Sequence, residues 1–78
     1  HDVAEKLLLR AYKEDPSNFW ALADLAECYA SSARPAAERR RLAESRVAEL
    51  RSRFPRHPSL HGVLVGIERE LSRADPAE

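Results

Sequence analysis

The chain has 78 residues, 44% of them hydrophobic, enough for one modest core and too few for a second domain. Thirteen Asp and Glu balance thirteen Lys and Arg, so net charge draws the chain neither to nucleic acid nor to an anionic membrane. Apolar runs of a few residues exclude a bilayer span, the charged opening at residues 1–6 is no signal peptide, and the single Cys28 leaves the redox compartment open.

Thirteen Ala and ten Leu against five β-branched residues favour helix over strand. Ala4, Leu8 and Ala11, widened by Leu7 and Tyr12, follow helical spacing until Asp15-Pro16-Ser17-Asn18, which predicts a first helix over 2–14. Ser17 or Asn18 can cap a second helix over 18–31, with an inward stripe of Leu22, Leu25, Ala26 and Tyr29. Ser32 is the expected cap of a third helix over 35–54, with Pro35 in its first turn and Ala43, Val47, Leu50 and Phe54 inward. Pro55 stops it, and Pro58 opens a fourth helix over 58–72 whose stripe is Leu60, Val63, Leu64, Ile67 and Leu71. Residues 1–73 are expected to form one all-α domain and 74–78 a frayed tail. Connections this short make consecutive helices antiparallel.

The pattern repeats. Ala4, Leu8, Ala11 and Pro16 recur as Ala43, Val47, Leu50 and Pro55, thirty-nine residues on, and Leu22, Leu25, Ala26 and Tyr29 recur as Leu60, Val63, Leu64 and Ile67, thirty-eight on. Matched helical patterns of this kind indicate stacked hairpins of a solenoid. In these residues the chain resembles the tetratricopeptide repeat family. Leu22, Leu25, Ala26 and Tyr29 follow that family's first-helix pattern; Ala4, Leu8, Ala11 and Pro16 follow its second-helix pattern, and Ala43, Val47, Leu50 and Pro55 do so with Leu50 in place of a small residue. The complete repeat exceeds the usual thirty-four or so residues, the excess falling at residues 31–36, and Leu60 and Ile67 stand where large aromatics are commoner. The resemblance spans most of residues 2–71. It implies a short helical solenoid that binds protein segments, a scaffold and not a reaction.

By the same resemblance, the side of the second helix bearing Trp20, Ala23, Asp24 and Glu27 lines a groove for an extended partner segment, with Trp20 as apolar anchor and the two carboxylates favouring a basic or neutral ligand. Packing of Trp20 on the turn around Pro16 is the alternative. Clamps for a C-terminal carboxylate in this family use Lys, Arg and Asn on first helices, so none is expected here.

Arg39, Arg46 and Arg53 fall along one flank of the third helix, within a segment holding eight Arg against three Glu. Such a stripe suits an acidic ligand or nucleic acid, whereas Glu38, Glu44 and Glu49 at helical spacing favour internal pairing, which makes nucleic acid the lesser expectation. Val3, Leu7 and Leu9 of the first helix, and Gly62, Val65 and Gly66 of the fourth, lie beyond the core stripes of the end helices. Homodimerisation or docking to a longer chain through these residues is expected. His57 and His61 stand four apart, but no Cys or carboxylate nearby in sequence completes a metal set, and Cys28 lacks a His partner. The expected function is therefore a non-enzymatic protein-interaction module without metal or cofactor, with structural homo-oligomerisation and acidic-ligand binding as alternatives. The compartment is left open, with a soluble, cytoplasmic location as the default.

Overall fold

The computed structural model describes residues 2–73, and the expected tail at 74–78 lies outside them. Four helices and no strand occur among the described residues: α1 (Asp2–Glu14), α2 (Phe19–Ala30), α3 (Ala36–Arg53) and α4 (Leu60–Arg73). The all-α expectation therefore holds, with helix ends within two residues of those read from sequence.

Local chemistry sets these boundaries. Asp15 Oδ1 accepts from both the backbone N–H and the hydroxyl of Ser17 (3.3 and 2.6 Å), which folds the turn after α1. Asn18 Oδ1 then accepts from the N–H groups of Trp20 and Ala21 (3.0 and 3.3 Å), satisfying two donors that lack intrahelical partners. Ser17 is thus spent in the turn and Asn18 is the cap.

The expectation for Ser32 is corrected. Its hydroxyl donates back to the Tyr29 carbonyl at 3.0 Å, closing the end of α2 rather than opening α3. Pro35 occupies the cap of α3 in extended backbone (φ −54°, ψ 150°) and makes no side-chain cap bond. Pro58 likewise stands in a turn before α4, where the N–H of Ser59 donates to His57 Nδ1 (3.1 Å) and that of Leu60 to the His57 carbonyl (3.1 Å).

Helix α2 is the centre. It packs against all three other helices, α4 also lies on α3, and α1 rests on α2. Leu22, Leu25, Ala26 and Ala30 of α2 are fully buried with Ala43 and Leu50 of α3. Consecutive helices run antiparallel: Arg34, just beyond α2, reaches Glu5 near the start of α1, Phe19 at the start of α2 meets Phe54 after α3, and Arg40 early in α3 reaches Glu68 late in α4. The result is a slab of 37 × 27 × 15 Å.

Helix α1 is rotated from the expected orientation. Ala4 and Ala11 are exposed, while Glu5, Leu8, Leu9 and Tyr12 face the core. With apolar residues around more than half of α1, the side chains with reach decide which part turns inward: Tyr12 and Leu9 bury more surface than two alanines.

Candidate functional site

Trp20, Asp24 and Glu27 occupy positions i, i+4 and i+7 of α2 and all three are exposed, so one helical face carries an indole and two carboxylates. Ala23 does not belong with them: it is 1% exposed and part of the core, because its methyl group faces the packed side of the helix. Across the seam, α4 adds Glu70, which shares a shallow recess with Glu27 and Ser31. Partial burial raises the Glu27 carboxyl pKa above the ordinary glutamate range, and the charges of Asp24 and Glu70 push it further in the same direction.

Trp20 remains 52% exposed. Its ring meets Phe19 edge to face at 5.0 Å and His57 at 6.0 Å. Behind it, His57 stacks flat on Phe19 with centroids 3.6 Å apart, and Phe54 closes on Phe19 at 5.4 Å. The indole is thus propped from below by an aromatic group from two turns, with its outer surface toward solvent.

The arginine stripe of α3 is engaged within the fold. Arg39 is only 5% exposed; its Nε donates to the Arg34 carbonyl (2.9 Å) and its Nη1 to the Ala30 carbonyl (3.5 Å), closing the C-terminal end of α2. Arg46 pairs with Glu49 at 2.8 Å and lies over the rings of Tyr12 and Tyr29. Arg53 also lies over the Tyr12 ring, 5.4 Å from its centroid, and donates to the Pro16 carbonyl at 3.2 Å. Each of the three side chains joins α3 to α1 or α2 through a carbonyl or an aromatic face on those neighbours.

Among the end-helix residues, Val3 and Leu7 are 71% and 60% exposed, but Leu9 is half-buried and packs on the core. Val65 is exposed beside a groove between α3 and α4. Gly66 is half-buried toward α2, where a Cβ would lie 3.7 Å from Glu27 Oε2, whereas one at Gly62 would meet nothing within 4 Å.

Burial, with the nearby charge of Glu5, pushes the Cys28 thiol pKa up, which suits a packing residue and not a nucleophile. His57 is held in its turn and His61 is exposed on α4. No three His, Cys, Asp or Glu side chains among the described residues are grouped to hold a metal ion. None of the described helices is long and apolar enough to cross a membrane.

No family model, characterised protein or solved structure matches this chain. The α2 face is therefore judged on its own chemistry.

Two of its parts escape sequence reasoning. Glu70 joins Asp24 and Glu27 only through the packing of α4 on α2. His57 gives no helical signal, although its place beside Pro58 and near Phe54 marks a turn able to hold an aromatic ring.

Proposed function

We propose that this chain is a non-enzymatic protein-interaction module, a short stack of tetratricopeptide-like helical hairpins that receives an extended basic or neutral partner segment on the α2 face. The observation that carries this reading is the half-exposed Trp20 set one turn from Asp24, with Glu27 and Glu70 along the same seam. A propped, rigid indole contributes apolar contact area at little entropic cost, as anchoring aromatics do at interfaces. Three carboxylates beside it repel one another, and a Lys or Arg from a partner relieves that repulsion. The internal repeat supports the tetratricopeptide-like part of the reading.

Acidic-ligand binding through α3 draws less support, since Arg39, Arg46 and Arg53 already have partners inside the fold. A carboxylate clamp draws none from a face that offers Asp24 and Glu27.

Calorimetry with lysine-bearing extended peptides and their glutamate-bearing counterparts tests the proposal. The lysine set should bind in the micromolar range and lose most of its affinity on Trp20→Ala, with the glutamate set silent. Equal binding of both sets, or full binding by Trp20→Ala, rejects the α2 face as the site.

A further inference from the structure

The two ends of the helical array are unlike each other and complementary. On α1, stepping about 100° per residue, Val3, Leu7, Ala11 and Ala4 form one strip beside the inward residues Leu8 and Tyr12. All four are exposed, Val3 and Leu7 to 71% and 60%. Their place in the internal repeat shows what such a strip is shaped to meet. Ala4 and Ala11 correspond to Ala43 and Leu50 of α3, both 0% exposed beneath α2, in the most extensive helix pair of the fold.

At the other end, α4 corresponds to α2 and has no such partner among the described residues. Leu22, Leu25 and Ala26 of α2 are 0% exposed, whereas their counterparts Leu60, Val63 and Leu64 are only half-buried. Alongside α4, where α3 lies against α2, there is a groove instead. Val47, Leu64, Ile67 and Leu71 contribute its apolar lining, with Val65 at its edge. At one end of its rim Glu44 and Glu68 share Arg40 (3.1 and 3.3 Å), and at the other end stand Arg51 and His61.

We infer that copies of this chain dock head to tail, with α1 of one copy filling the groove between α3 and α4 of the next. The internal repeat sets the direction. If α1 lies antiparallel to α4, as α3 lies antiparallel to α2, its N-terminal end, with the positive end of its helix dipole, comes to Glu44 and Glu68. Its C-terminal end then brings Glu14 to Arg51. The repeat requires the same register: Arg51 corresponds to Tyr12 and Glu14 to Arg53, and within the chain Arg53 sits over the Tyr12 ring at 5.4 Å. The pair that touches inside the fold is thus replaced at the open ends by opposite charges. Arg10, 3.5 Å from Glu14 in an exposed pair, shares that carboxylate. Since the strip and the groove are different surfaces, each copy offers one of each, and the assembly grows rather than closing as a symmetric dimer. The surface lies apart from the Trp20 face and is independent of the function proposed above.

Sedimentation of the 78-residue chain from micromolar to millimolar concentration tests this. The average mass should pass beyond that of a dimer as concentration rises. Leu7→Glu removes only the strip and Val65→Glu only the groove, both at exposed positions, so each variant alone should be a helical monomer. An equimolar mixture should form a heterodimer and stop there, because one intact strip meets one intact groove. Glu14→Arg and Arg51→Glu should each weaken assembly on the order of fivefold, and mixing those two variants should restore it. A wild-type monomer at all concentrations overturns the inference, as does a dimer that never grows. Failure of Leu7→Glu and Val65→Glu to complement each other overturns it too, since a strip-to-strip dimer or docking to another protein would give that result.

Discussion

The Tyr12 hydroxyl donates to a Glu49 carboxylate oxygen at 2.9 Å, joining the ends of two helices, α1 and α3, that otherwise reach each other through long side chains. Arg46 lies 5.6 Å and Arg53 5.4 Å from the centroid of the same tyrosine ring. This group holds α1 in the rotation that buries Tyr12 and exposes Ala4 and Ala11. Tyr12→Phe keeps the ring contacts and removes the hydroxyl, so it should cost about 1 kcal/mol in urea denaturation. An unchanged midpoint would show that the hydroxyl contributes nothing to the joint.

Glu49 gives that joint a pH dependence. Burial works to raise its carboxyl pKa, but hydrogen bonds from Arg46 and Tyr12, with the charges of Arg46 and Arg53, outweigh burial and lower it. A carboxyl whose folded pKa is depressed contributes stability that is full above the unfolded glutamate pKa and is lost as pH falls through the folded one. Wild-type stability should therefore drop on acidification below the ordinary glutamate range more than that of Glu49→Gln. Parallel stability curves for the two proteins would contradict this.

Arg39 is the buried arginine of the fold, placed on the carbonyls of Ala30 and Arg34. Arg39→Met keeps much of the stem and leaves those carbonyls short of a donor, which should destabilise the protein by about 2 kcal/mol. Arg41, exposed on the same helix, should tolerate Arg41→Met within roughly 0.5 kcal/mol. Equal effects in thermal melts would mean that Arg39 is not structural.

Much of this arrangement was legible in the chain, for identifiable reasons. Pro16, Pro35 and Pro55 and the cap at Asn18 interrupt the helical periods through geometry local to each turn, so the helices fall close to their predicted spans. The rotation of α1 was not legible, because Val3, Ala4, Leu7, Leu8, Leu9 and Ala11 leave an apolar arc wider than one interface, and only tertiary packing selects the part that is buried. Arg39 sits on the flank of its stripe, where sequence does not separate a solvated guanidinium from one closing a neighbouring helix. The spacing of Trp20, Ala23 and Glu27 puts them together on the side of α2 away from its inward stripe, and only Ala23 departs from it. The burial of Ala23 depends on α2 being packed by three helices, a property of the whole fold.

Gly62 lies in the first turn of α4 with open space where a Cβ would stand. Gly62→Ala should therefore stabilise the protein by roughly 0.5–1 kcal/mol, through helix propensity and a less free unfolded chain. Head-to-tail assembly should be unchanged, since the groove lies on the Val65 side of the helix. A loss of stability or of assembly would show that a backbone approaches Gly62.

Glu27 reports on the α2 face through protons. Its folded carboxyl pKa is raised by burial first and then by Asp24 and Glu70, so the charged form opposes folding and Glu27 adds stability only as pH falls through that raised value. A cationic ligand favours the carboxylate, so binding should release protons and strengthen as pH rises through the raised pKa. Glu27→Gln should flatten this dependence. Affinity that does not vary with pH across the carboxylate range would place the cation elsewhere.

Trp20 is the only tryptophan, so its emission measures occupancy of the α2 face directly. On titration with a lysine-bearing extended peptide, the account predicts a saturable blue shift as the half-exposed indole is covered, abolished when Asp24 and Glu27 are both changed to Lys. Saturable binding by calorimetry with no change in Trp20 emission would contradict it.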